Sequence, residues 1–204
     1  DEERLKALPN DNEGLDTEGL YQRHIKVVYS ELLGFMSRVD VPMDEAQQQF
    51  WVSCQMVALQ LVDAVKDAKA LQKNLGRYLR DDHSLAHKHY LVLRRHLLWI
   101  LRQVYEVSRL ELPDDMWRNR LDLADEEAIK FEQGFRHGIF SEVRTGLLGN
   151  LQASSLMNDL GYSSRISQSF GNVLRLGLSD DNKLLREVRH LGGDESPLIQ
   201  LSNK

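Results

Sequence analysis

The chain has 204 residues, 42% hydrophobic and 28% charged, with only 4 prolines and 13 glycines. This is the balance of an ordinary soluble globular protein and excludes a disordered chain or a loop-rich β-sandwich. One cysteine, Cys54, excludes an internal disulfide framework and a Cys-rich zinc site, and a net charge of −5 argues against nucleic acid as a partner.

Residues 1–16 are acidic, contain Pro9 and Gly14, and read as a linker or tail. The apolar period then becomes helical. Tyr21, Ile25, Val28, Leu32, Phe35 and Val39 follow each other in steps of four and three, the spacing of one helix face. Pro42 ends this run, and Asp44 is the expected N-cap of the next. That second run carries Phe50, Cys54, Val57, Leu61, Val65, Ala68, Leu71, Leu75 and Leu79. A helix across it would be roughly 45 Å long. After a polar break at Asp81–Ser84, a third helix is expected through Tyr90, Leu93, Leu97, Ile100, Val104 and Val107, closed by Pro113. The fourth carries Leu121, Ala124, Ala128, Phe131, Phe135 and Ile139, with a bend expected near Gly134 and Gly138. The fifth runs from about Leu147 to Leu176. Residues 179–204 offer one short amphipathic piece (Leu184, Leu185, Val188, Leu191) and a flexible tail. The longest apolar run of note, Leu97–Leu101, is too short to cross a bilayer.

No run has the alternating pattern of a strand. Steps averaging 3.5 residues favour nearly aligned helices, and the short connections favour antiparallel neighbours. The expected fold is all-α, an antiparallel bundle of long helices. A shift of 92 positions superposes Met56 on Leu148, Leu59 on Leu151, Ala64 on Leu156, Asp67 on Asp159 and Ala68 on Leu160, which suggests two related halves.

The second helix has an unusual reverse face: Val52, Met56 and Leu59, then Asp63, Asp67, Ala70 and Asn74. Asp63 and Asp67 stand one turn apart on that face, an arrangement in which two carboxylates can share a hard divalent cation. The other reading is a solvated face moderated by Lys66 and Lys69. The fifth helix repeats the pattern with Leu148, Leu151, Ser155, Asn158, Asp159 and Tyr162, and it is rich in serines and glycines that permit close packing. Basic stripes run along two helices: Lys88, Arg95, Arg102 and Arg109 at intervals of seven, and Lys66, Lys69, Lys73, Arg77 and Arg80. They suit a solvated face, lipid headgroups, phosphate or an acidic partner. His83 and His87 lie at i, i+4 beside Asp82 and His89, but zinc there needs a ligand from elsewhere. A di-metal bundle enzyme wants two Glu-x-x-His motifs, and only Glu187–His190 exists. There is no Walker loop, no dinucleotide glycine fingerprint, no His-Glu-x-x-His and no Gly-x-Ser-x-Gly. Cys54 lies on an apolar stripe and reads as core. The residues assemble no catalytic constellation, so the expectation is a non-enzyme.

Two segments carry a family resemblance. Leu61 to Asn74 (LVDAVKDAKALQKN) resembles the helix segment of PhoU-like domains, which occur as phosphate-uptake regulators and fused to bacterial sodium/phosphate cotransporters; Ala153 to Ile166 (ASSLMNDLGYSSRI) is similar to the matching later segment. The resemblance spans about residues 17–178, with halves of about 17–111 and 114–178. It implies tandem antiparallel three-helix bundles and a metal signature of Glu/Asp-x-x-x-Asp in each half. Asp63 and Asp67 match the first signature. Asp159 matches the final acid of the second, where Ser155 replaces the first. The implied ligands are thus Asp63, Asp67 and Asp159, with a divalent or ferric metal ion. The implied function is a regulatory or interaction domain in inorganic phosphate transport, cytoplasmic at the inner face of the membrane. Its expected partners are a phosphate transporter membrane domain or another protein, the membrane surface, and a second copy in a homodimer. The absence of an initiator Met fits the tail of a membrane protein. The rival expectations are a metal-dependent helical-bundle enzyme and a structural helical adaptor.

Overall fold

A computed structural model describes residues 16–80, 83–109 and 112–178, with the Asp114 side chain left aside. Its described residues are helical, with no strand among them. The first helix, α1, is built of Thr17–Leu20, a π-helical turn at Tyr21–Lys26, and Val27–Met36. The others are α2 (Glu45–Tyr78), α3 (Leu85–Arg109), α4 (Asp114–Arg144) and α5 (Asn150–Leu178). The π-helical turn left no signal in the apolar period. The short piece expected at residues 184–191, the acidic stretch at 1–15 and the Glu187–His190 motif lie outside the described residues.

Local chemistry fixes the helix ends. Asp44 caps α2 in a full capping box: the Gln47 N–H donates to Asp44 Oδ1 at 2.8 Å, and the Asp44 N–H donates to Gln47 Oε1 at 3.1 Å. α4 ends in a Schellman turn. Gly146 adopts φ 74°, its N–H donates to the Val143 carbonyl at 3.1 Å, and the Leu147 N–H donates to the Glu142 carbonyl at 2.9 Å. The left-handed residue requires glycine, and it turns the chain so that α5 can return along α4. α4 itself runs through Gly134 and Gly138 as a single helix, and a Cβ at either position would meet no neighbouring atom.

Helix α5 is the centre of the bundle. α2, α3 and α4 all pack on it, and α1 packs on α2. Cross-contacts give the directions. Asp67 meets Arg165 and Asn74 meets Asp159, so α2 and α5 are antiparallel. Glu132 meets Ser164 and Asp125 meets Arg175, so α4 and α5 are antiparallel as well. α3 runs parallel to α5: Tyr90 reaches Asp159 near one end, and Val107 clusters with Leu174 and Leu178 near the other. The main core joins Leu71, Tyr90, Leu93, Phe135, Ile139, Leu156 and Leu160, drawing on both expected halves. Its small buried residues on α5 (Ala153, Ser163, Ser167, Gly171) let three helices approach one.

The apolar stripe of α2 is placed differently from its expected role as the main core face. Only Leu71 of that stripe is fully buried, while Leu61 is 37% exposed. The reason is that α2 lies between two neighbours on opposite sides. Thr17, Glu18 and Phe35 of α1 meet Gln72, Lys69 and Trp51. Asp67 and Asn74 face α5 on the other side, and the stripe falls on the flank between the two.

Between α3 and α4, the His96 ring stacks on Phe131, with centroids 3.7 Å apart and planes 6° apart. Burial there pushes the imidazole pKa down to about 4. The unfolded chain takes up this proton near the usual value of about 6.5, so the native state loses stability as pH falls from about 6.5 toward 4. His96→Phe keeps the stacked ring without the titration. Its denaturant midpoint should fall less than that of the parent protein between about pH 7 and pH 4.5; equal falls would count against this burial.

Candidate functional site

The seam between α2 and α5 gathers the polar side chains that the sequence singles out. At its outer end, Asp67 receives two hydrogen bonds from Arg165, Nε to Oδ2 at 2.7 Å and Nη2 to Oδ1 at 2.9 Å. The bond to Asp67 holds the guanidinium pKa above its ordinary range. Planar guanidinium against carboxylate is the strongest geometry for such a pair, although Arg165 is half-exposed and the pair adds little to stability. Asp63, one turn earlier, pairs instead with Lys66 of its own helix at 3.0 Å. Gln60, Asp63, Lys66 and Asp67 line one wall of an open groove of about 330 Å³, and Arg165, Gln168, Ser169 and Asn172 line the other. Amides, a hydroxyl and two ion pairs give this groove donors and acceptors in near balance, which suits a polar partner without net charge.

Two turns deeper lies a buried network. Asp159 is 0% exposed. Its Oδ2 accepts a hydrogen bond from the Tyr90 hydroxyl at 2.5 Å, and its Oδ1 accepts one from the Asn74 amide at 3.1 Å. Burial raises the carboxyl pKa, and these two donors hold it down. Burial also pushes the Tyr90 phenol well above its ordinary range, and the bond to Asp159 adds to the shift. Tyr78 stacks on Tyr90 with centroids 4.8 Å apart, covering the network at the α2–α3 corner. One turn along α5, the Ser163 hydroxyl is buried without a protein partner. The Ser163 carbonyl accepts the Ser167 hydroxyl at 2.9 Å.

The three carboxylates expected to hold a metal therefore have separate occupations. Asp63 and Asp67 share one groove, but Asp67 has both oxygens on Arg165. Asp159 lies two turns away along the seam and is satisfied by Tyr90 and Asn74. Among the described residues, no group of three or more His, Cys, Asp or Glu side chains is placed to hold a metal ion. The histidines also separate: His87 Nδ1 contacts the Tyr78 carbonyl at 3.2 Å, while His89 Nε2 meets Glu142 Oε2 of α4 at 2.6 Å. Cys54 is half-buried, and burial raises its thiol pKa, which is the opposite of an activated nucleophile.

Sequence reasoning found Asp67, Asn74 and Asp159 but not their partners. Arg165 and Tyr90 sit on other helices, and nothing in their own local pattern points across the bundle. One usable signal is that Asp159 lies beside Leu156 and Leu160, where a solvated acid is out of place. In comparisons with protein-family models, curated proteins and solved structures, the chain matches none of them. No helix of the described residues is long and apolar enough to cross a membrane.

Proposed function

We propose that the chain is a non-enzymatic regulatory or interaction domain in inorganic phosphate transport, acting as part or partner of a sodium/phosphate cotransporter at the cytoplasmic face of the membrane. The observation that carries this reading is the pairing of the two segments that resemble PhoU-like helices. Leu61 to Asn74 and Ala153 to Ile166 pack antiparallel on each other, joined by Asp67–Arg165 and Asn74–Asp159. The engaged carboxylates favour a structural and partner-binding seam over a metal-dependent enzyme. The polar groove beside Asp67 and the exposed Lys88 and Arg95 of α3 offer surfaces for a transporter.

Co-purification tests this reading. The chain, mixed with the detergent-solubilised membrane domain of a sodium/phosphate cotransporter, should elute with it at physiological ionic strength. Separate elution, even at low salt where charged surfaces attract most strongly, would count against it.

A further inference from the structure

A second groove lies on the opposite side of α2 from the Asp67 seam, where the start of α1 crosses the last turns of α2. It is open, has a volume of about 540 Å³ and is lined by Thr17, Lys69, Gln72, Lys73, Gly76, Arg77 and Arg80. Four of these seven residues are cations, and among the described residues no acid belongs to the lining, although Glu18 of α1 pairs with Lys69 and the Arg80 Nε donates to the Gly76 carbonyl at 2.9 Å. Its neutral members are also suited to an oxyanion. The Thr17 hydroxyl donates to Gln72 Oε1 at 2.5 Å, which leaves the Gln72 amide N–H groups for another acceptor. Gly76 adds no side chain to the floor. Neighbouring rings steady two of the cations: Lys69 Nζ lies 5.7 Å from the Tyr21 ring centre, and the Arg77 guanidinium lies 5.5 Å from that of Tyr78.

We infer that this groove binds a soluble molecule carrying several phosphoryl groups. Three features select that class. The helical cations Lys69, Lys73 and Arg77 spread over eight residues of α2, roughly 12 Å at the rise of an α-helix, which is more than one orthophosphate can span. Lysines supply point charges and arginines supply forked donors, the combination that suits a chain of phosphate oxygens. The groove is concave, and acids stand on its α1 side. Glu18 pairs with Lys69, and Asp16 lies beside Arg23. A small polyanion enters the seam between α1 and α2, where it displaces Glu18 from Lys69, and a flat membrane surface does not reach into that seam. The inference does not depend on the transport reading, because it rests on this groove alone.

The probes are tripolyphosphate, orthophosphate and vesicles of phosphatidylcholine with phosphatidylglycerol, each titrated against the intact chain by calorimetry or co-sedimentation. Tripolyphosphate should bind at least about tenfold more tightly than orthophosphate, because it engages more of the cations at once. Lys73→Glu with Arg77→Glu should weaken it about tenfold or more, while Glu18→Gln should tighten it about two- to threefold. Lys73 and Arg77 are exposed, so helicity should be unchanged; Lys73→Glu alone serves as a second variant that leaves the Arg77–Tyr78 contact in place. The inference is overturned by absent tripolyphosphate binding, by binding indifferent to the charge reversals, or by orthophosphate binding equally well. Vesicle binding that needs Lys73 and exceeds tripolyphosphate binding would also overturn it, and would assign the groove to a lipid surface.

Discussion

Asp159→Ala is expected to destabilise the fold by about 3 kcal/mol, because it removes the acceptor for one buried and one part-buried donor. Tyr90 is 0% exposed and its hydroxyl has Asp159 as its partner; Asn74 donates to the same carboxylate. Removing the carboxylate leaves the buried Tyr90 hydroxyl and the part-buried Asn74 amide without their acceptor. Asp159→Asn keeps an acceptor oxygen and the volume, so it should cost less, about 1 kcal/mol near neutral pH. The two variants also carry a pH signature. Burial raises the Asp159 pKa in the native state above its unfolded value, so the native state binds the extra proton. The contribution of Asp159 is therefore fully present below the ordinary carboxylate range and declines as pH rises through the raised native value. Asparagine has no such dependence. The penalty of Asp159→Asn should accordingly be largest in acid and shrink toward neutrality, as read from urea midpoints across the pH range. A penalty independent of pH would mean that the carboxylate is solvated, and one that grows toward neutral pH would mean that the Tyr90 and Asn74 donors outweigh burial and hold the native pKa below its ordinary value.

Leu156→Ala is expected to cost about 3 kcal/mol, within the 2–5 kcal/mol range of buried leucine truncations. Leu156 is 0% exposed and belongs to the core cluster in which α5 meets Leu93 of α3 and Ile139 of α4. Three helices meet around it, so none can move into the space without leaving another contact. Leu151, five residues earlier on the same helix, is 86% exposed. Leu151→Ala should change stability by less than about 0.5 kcal/mol. The pair isolates burial from helix propensity, since both substitutions replace leucine by alanine within α5. Similar chemical-denaturation midpoints for the two variants would contradict the placement of α5 at the centre.

The physics of one helix at a time explains which features were legible in the sequence. Steps of three and four residues mark the first four helices, and the Asp44 cap is written in Asp44 and Gln47, because periodicity and capping are local. The serines and glycines of α5 point to close packing, and Ser163, Ser167 and Gly171 are buried as that composition suggests. The orientation of α2 was not legible. Its stripe from Phe50 to Leu79 is the most apolar line it has, yet its neighbours take the faces on either side of that line. The apolar start of the reverse face suggests neighbours on both sides of α2, but Val52, Met56 and Leu59 are exposed, and the contact with α5 falls on the polar half at Asp67 and Asn74. The same limit applies to the site. Asp67 and Asp159 are visible as acids in unusual places, but whether such an acid holds a cation, an arginine or a tyrosine is decided by side chains that arrive from another helix. Arg165 and Tyr90 arrive from α5 and α3, some hundred and some seventy positions away in the chain.

The most direct measurement of the central claim is the initial rate of sodium-driven phosphate uptake in cells carrying a sodium/phosphate cotransporter, with and without this chain. The account predicts a changed rate when the chain is present, and a return to the original rate when Asp159→Ala loosens the α2–α5 seam. An uptake rate indifferent to the folded chain, at expression levels matched to the transporter, would contradict a role in phosphate transport.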